Sequence, residues 1–175
     1  IKAILGIASY ARLAGMLGDK EESVTYSSKA REMAAAWKEM ASDGDHYRLT
    51  FDKPGTWSQK YNLVWDRLLG FNVFDPTIVE TEIAWYLAHQ NEYGLPLDNR
   101  REYTKTDWIL WTATLVDDRE VFDALVDPVW KYYNETVDRV PMSDWVDIID
   151  STHEAFQARS VVGGLWIKML EDILN

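Results

Sequence analysis

The sequence predicts an all-α fold, a ring of helical hairpins arranged in two layers. Two observations carry this. Apolar residues recur at helical spacing along most of the chain, and segments apolar on nearly every face alternate with segments apolar on one side only. A helix buried all round beside a one-sided helix is what the inner and outer members of a two-layer helical toroid require.

Residues 1 to 17 carry Ile4, Leu5, Ile7, Ala8, Tyr10, Ala11, Leu13, Ala14, Met16 and Leu17, so this helix is expected to be buried on all sides. After Gly18-Asp19, residues 21 to 42 place Tyr26, Ala30, Met33, Trp37, Met40 and Ala41 on one face, with Arg31, Glu32, Lys38 and Glu39 elsewhere. His46 to Phe51 alternates at period two and runs into Lys53-Pro54-Gly55-Thr56, a type II turn signature. A small β-hairpin or extended flap within residues 46 to 58 follows from that pattern. A shorter helix near 59 to 69 stops at Gly70. Asp75-Pro76 supplies a cap and a first-turn proline for a helix over residues 75 to 91.

Residues 106 to 116 and 118 to 135 form a further helical pair, in which Pro128 either kinks the second member or restarts it after Asp127. Residues 157 to 174 close the chain as a helix with Val161, Val162, Leu165, Met169, Leu170 and Ile173, and Gly163-Gly164 allows a neighbour to pack closely. Loops at 93 to 104 and 137 to 155 join these parts. No low-complexity segment or linker divides residues 1–175, which read as one domain, an incomplete toroid of about three and a half hairpins. The chain opens Ile1-Lys2-Ala3 without Met, helix cap or signal-peptide n-region, and reads as a piece of a longer protein.

At 175 residues and 47% hydrophobic, the chain is long enough to bury a core. Its net charge of −11 repels phosphate backbones and anionic lipid heads, so neither nucleic acid nor a membrane is an expected partner. No apolar run reaches the roughly 20 residues of a membrane span. The absence of cysteine excludes a disulfide, a thiolate zinc site and a Cys nucleophile within these residues. Asp144, Asp147, Asp150 and Glu154 lack the glycine and regular spacing of a calcium loop, so no metal or other cofactor is expected. With only His46, His89 and His153 present, Ser160 has no local histidine for a serine triad.

The most informative stretch is Tyr93 to Trp111, where a turn-rich loop leads into a helix. Thr104 or Thr106 can cap that helix, and Thr104-x-x-Asp107 approximates a capping box. Asp107, at the helix start beside Lys105, is expected to be ionised, and serves either as a base or clamp or as a first-turn helix stabiliser. Asp144, in Ser143-Asp144-Trp145, and Asp66, in Trp65-Asp66-Arg67, are the other acids flanked by aromatic residues. Two such carboxylates across a cleft can divide acid and base work. Equally, Asp144 can cap a turn and Asp66 can pair with Arg67 or a neighbouring arginine. Trp57, Trp65, Trp108, Trp111 and Trp145 lie in or beside loops and helix ends that also hold acids. Trp57 and Trp145 are expected in a site wall and Trp111 in the core. Arg159, following Gln157, offers a planar fork for a substrate carboxylate or for one of the chain's own acids.

Tyr61 to Gly70, Tyr93 to Trp111, Asp138 to Trp145 and Phe156 to Gly164 together resemble the C-terminal portion of the glutaminase A family of fungi and bacteria. The resemblance covers nearly the whole chain and is most specific in those four stretches. It implies a six-helical-hairpin, six-hairpin-glycosidase-like toroid completed by the remainder of a longer parent, and hydrolysis of the side-chain amide of L-glutamine by a secreted or cell-envelope enzyme. On residue chemistry, Asp107, Asp144 and Asp66 are the catalytic candidates, and Trp57, Trp65, Lys105, Trp108, Trp145, Gln157 and Arg159 the substrate-binding ones. The alternatives are a glycoside hydrolase or carbohydrate-binding protein of the same toroid type, and a non-catalytic ligand-binding or structural segment.

Overall fold

A computed structural model describes residues 1–174. Seven α-helices are present among them: α1 (Lys2–Met16), α2 (Lys20–Ala41), α3 (Val64–Leu68), α4 (Thr77–Ala88), α5 (Thr106–Ala113), α6 (Arg119–Glu135) and α7 (Ile167–Leu174). Short 3-10 helices at Tyr61–Leu63 and Ser160–Trp166 lead into α3 and α7. One two-stranded antiparallel sheet joins β1 (Tyr103–Lys105) to β2 (Trp145–Asp147). The fold is mostly helical, as the periodicity predicts.

The first hairpin is built by local chemistry at its corner. Gly18, at φ +88°, takes the left-handed conformation that ends a helix, and the Asp19 amide reaches back to the Ala14 carbonyl at 2.9 Å. Asp19 then caps α2, its carboxylate accepting from the Glu22 amide at 3.0 Å. Small residues line the α1–α2 contact, Ala8, Ala11 and Ala14 on one helix and Ala30 and Ala34 on the other, all buried. A Cβ on Gly15 would meet Ser23 Oγ at 2.9 Å, which shows how closely the helices approach there.

α1 is not covered on every side. Leu13, Met16 and Leu17 stay exposed, Leu17 at 88%, because α2 packs on one face of α1 and these residues lie on a side left open. A second open apolar surface lies on α7 and the segment before it, where Trp166, Met169 and Ile173 are exposed.

Residues 46 to 58 do not form the expected β-hairpin, and the sheet lies elsewhere. The backbone of Tyr47 is taken by side chains: its amide donates to Glu82 Oε1 at 2.7 Å and its carbonyl accepts from Lys60 Nζ at 2.8 Å. Asp43 likewise captures the Gly55 amide and Arg48. In place of a ladder the segment keeps isolated bridges, Ser42 to Tyr47 and Ser58 to Asp98, and a single Leu49 amide bond to the Thr56 carbonyl at 3.1 Å.

The last helix also starts later than periodicity suggests. Residues 157 to 159 are not helical, and the run from Ser160 is 3-10 before α7 begins. Gly163-Gly164 weakens α-helix formation at that point. Helix α6, in contrast, runs unbroken through Pro128.

Between these elements lies a buried polar knot. Lys60 and Glu82 have side chains 6% and 1% exposed with Nζ to Oε2 3.6 Å apart, and Tyr86 donates its hydroxyl to Glu82. Arg67 ties α3 to α7 through Glu171 and to the end of the α5 region through the Leu115 carbonyl and Asp117.

Candidate functional site

The site is assembled where β1 passes into α5. In the sheet, Lys105 is the register partner of Trp145, which brings Asp144, immediately before β2, beside the start of α5. The Thr106 amide donates to the Asp144 carbonyl at 2.8 Å and fixes that approach. Lys105 Nζ donates to Asp144 Oδ2 at 3.0 Å with side chains 9% and 1% exposed, and sits 4.1 Å from the Trp145 ring centroid. Arg159 Nε lies 3.7 Å from Asp144 Oδ1, and its guanidinium covers the Phe156 ring at 5.1 Å. Asp144 is thus a buried carboxylate between two cations, each cation backed by an aromatic ring.

Asp107 is on the first turn of α5 and only 3% exposed, with Oδ1 lacking a hydrogen-bond partner. Burial, and then the negative charge of Asp144, push its carboxyl up to about 6. Lys105 and the amides of Asp107 and Trp108 pull the other way and do not prevail. Lys105 and the helix start thus do not hold the proton affinity of Asp107 down: loss of hydration outweighs both, and the carboxyl ionises as pH rises through about 6.

The expected capping box does not form either. Lys105 occupies the cap position without a side-chain bond, while Thr104 Oγ1 accepts from Gln59 Nε2 at 3.2 Å and Thr106 Oγ1 meets the Tyr133 hydroxyl at 2.9 Å. Both threonines turn to tertiary partners that are closer to hand than the helix amides.

Above Asp107 lies the 3-10 helix Ser160–Trp166. A Cβ on Gly164 would stand 2.9 Å from Trp111 Nε1 and 3.0 Å from Asp107 Cβ, so glycine there is what lets the segment close over the acid. Gly164→Val is expected to push the segment off α5, at a cost of about 1–3 kcal/mol. Denaturant unfolding together with tryptophan emission checks this, since Trp111 lies in the contact; unchanged stability and emission would refute it.

Lys105, Asp107, Asp144, Trp145 and Arg159 are thus drawn into one cluster, with Gln157 partly exposed in the turn before Arg159. Trp108 stacks on Tyr61 with centroids 4.2 Å apart and planes 7° from parallel, and this pair lines a cleft of about 900 Å³ that also meets Arg48, Lys60 and Arg100. Trp65 meets Trp111 edge to face at 5.2 Å on the wall of a second hollow.

Two candidates serve other tasks. Trp57 is 5% exposed and packs against Trp85, Tyr86 and His89 in the core, which replaces its expected place in a site wall. Asp66 accepts from the Val73 and Phe74 amides at 3.1 and 3.2 Å and so organises the turn from α3 to α4; it does not pair with Arg67. Neither shares a hydrogen bond, ion pair or ring contact with the cluster around Asp107. The acidic run after β2 is likewise explained by turns, with Asp147 accepting from the Ile149 and Asp150 amides and Asp150 from Thr152.

Sequence reasoning missed Tyr133 and Gln59. Tyr133 touches the site from α6, and Gln59 bridges Thr104 and Thr112 from the other side. Nothing local marks either residue, because each acts on partners in other segments, Tyr133 on Thr106 and Ser143 and Gln59 on Thr104 and Thr112.

Paired helices, with one buried acid on the first turn of a helix and a second brought beside it from just before a strand of the small sheet, define an α-helical hairpin domain with a candidate carboxylate site. Residues 1–169 match the model of the glutaminase A six helical-hairpin domain, and the chain belongs to that family. It is 29% identical to glutaminase A of Aspergillus oryzae over 97% of its own length and 26% of that protein's. It is 26% identical to a protein named as a probable glutaminase from Arthroderma benhamiae, over 94% of its own length and 23% of the other's. The chain therefore spans about a quarter of the length of these curated relatives.

Proposed function

We propose that this chain contributes the acid–base centre of a glutaminase-type hydrolase that converts L-glutamine and water to L-glutamate and ammonia. The observation that carries the reading is Asp107, a buried carboxyl poised near pH 6 beside an Asp144 held by two cations. The names of the two fungal relatives support the substrate.

In this reading Asp107, once deprotonated, takes a proton from water as the water oxygen bonds to the side-chain amide carbon of the substrate. The same proton then passes to the amide nitrogen, the C–N bond breaks, and ammonia leaves while the carbon keeps the water oxygen as a carboxyl. Asp144 keeps the proton affinity of Asp107 high enough for that return step. Arg159, with over a third of its side chain exposed, presents its outer N–H groups to the substrate α-carboxylate. The segment around Gly164 is the cover that substrate has to displace. The open apolar faces of α1 and α7 support contact with the remainder of a complete protein, and an extracytoplasmic location belongs to the same reading.

A base works when deprotonated, so kcat/KM rises with pH through a limb near 6. Asp144→Asn moves that limb lower by removing the charge that raises it. A pH–rate profile of the complete protein on glutamine checks both; a profile flat from pH 5 to 7 would count against Asp107 as the base. The stacked Tyr61–Trp108 wall of the large cleft favours a second reading, a sugar-processing enzyme of the same toroid type. Turnover of a glycoside panel with none of glutamine would select it, and turnover of neither would select a ligand-binding role.

A further inference from the structure

Tyr133 stands on α6, outside the strands and turns that carry the charged cluster. Its hydroxyl lies 2.9 Å from Thr106 Oγ1 and donates to the Ser143 carbonyl at 2.8 Å. Thr106 directly precedes Asp107, and Ser143 directly precedes Asp144. One phenol is therefore bonded to the residue before each of the two carboxylates. Ser143 is fixed in turn, its hydroxyl bonding the Trp145 and Phe156 carbonyls at 2.9 and 2.8 Å. Burial pushes the Tyr133 phenol up to about 12, so it remains a neutral donor throughout the range in which Asp107 titrates.

We propose that Tyr133 is a positioning residue for carboxamide hydrolysis, setting the separation of Asp107 and Asp144 through Thr106 and Ser143; this rests on the function proposed above. The β1–β2 ladder, the Lys105–Asp144 pair at 3.0 Å and the Thr106 amide bond to the Asp144 carbonyl hold the two segments together, and the Tyr133 hydroxyl adds a further link that reaches the residue before each carboxylate, so its loss leaves the segments joined but less tightly spaced. The charged and titratable groups around Asp107 are Asp144 and Lys105 from the sheet side, Tyr61 from the 3-10 helix before α3, and Tyr133 from α6. Arg159 acts on Asp144 from the C-terminal side, while the glycine segment over Asp107 brings no charge. Loosening the two segments weakens the pressure of Asp144 on Asp107 and leaves the other groups in place.

The test uses Tyr133→Phe and Thr106→Val, singly and together, in the complete protein. Kinetics on glutamine are read beside a carbon-13 carboxyl titration of Asp107. In each single variant kcat is expected to fall about tenfold or more with a smaller change in KM, and the Asp107 midpoint to drop below about 6. The double variant adds little to Tyr133→Phe, because that substitution already removes the Thr106 bond along with the bond to the Ser143 carbonyl. An unchanged midpoint in both single variants overturns the proposal, whether or not the melting temperature falls. The titration needs no turnover, so it separates the two failures: full activity in Asp107→Asn sinks the proposed reaction, whereas a static midpoint in Tyr133→Phe sinks the positioning role.

Discussion

Asp107→Asn in the complete protein is expected to lower kcat on glutamine by at least about a hundredfold, the scale of a positioned acid or base. The same substitution should raise stability above pH 6. Folding lifts this carboxyl from 3.8 to about 6, so the folded state keeps a proton that the unfolded chain has released between those values. Stability from that difference is present below about 4 and is lost as pH rises through about 6, an amount near 3 kcal/mol by linkage. Asparagine cannot ionise and avoids that loss, although its amide must find an acceptor in the pocket, which trims the gain. Unfolding measured at pH 4 and pH 7.5 should show the variant gaining on the parent with pH. A retained rate with a large fall in melting temperature would instead make Asp107 a helix-start residue.

Lys60→Met should do the opposite, destabilising strongly without altering the chemistry assigned to Asp107. Lys60 is buried, and its ammonium serves the carbonyls of Tyr47 and Ser58 while facing Glu82. Glu82 in turn holds the Tyr47 amide and the Tyr86 hydroxyl. Burial lowers the lysine and raises the glutamate, each toward its neutral form, and the pairing opposes both shifts. Removing one partner leaves a buried carboxylate and two carbonyls unmatched, which costs about 3–5 kcal/mol. Lys60→Met with Glu82→Gln should recover part of this, since the uncompensated charge is gone. Denaturant unfolding of the four proteins in that cycle gives the coupling. A loss below 1 kcal/mol in Lys60→Met would show that water reaches the knot.

The contrast between these two buried charge systems shows what residue type and spacing can carry. Lys60 and Glu82 are separated by 22 positions, and neither stands in a stretch that looks chemical. Asp107 and Asp144 were visible as acids beside tryptophans, yet so was Asp66, whose carboxylate proves to organise the turn before Phe74. Trp57 looked as suitable for a wall as Trp145, but only Trp145 meets a cation. Flanking residues describe what a side chain could do. They do not say which other segment arrives to meet it.

The sequence by itself determined most of the helices, the hairpin corner at Gly18-Asp19 and the close packing at Gly163-Gly164, though not the late start of the last helix. These follow from apolar periodicity, caps and glycine freedom, which act within a few residues of chain. Tertiary structure alone decided that β1 pairs with β2, that Thr104 and Thr106 bond to Gln59 and Tyr133, and that Asp107 is poised near 6. The physical reason is that hydration and Coulomb energy depend on distances across space. A carboxylate's proton affinity is set by the water it loses and the charges it meets, and both are supplied here by segments remote in the chain.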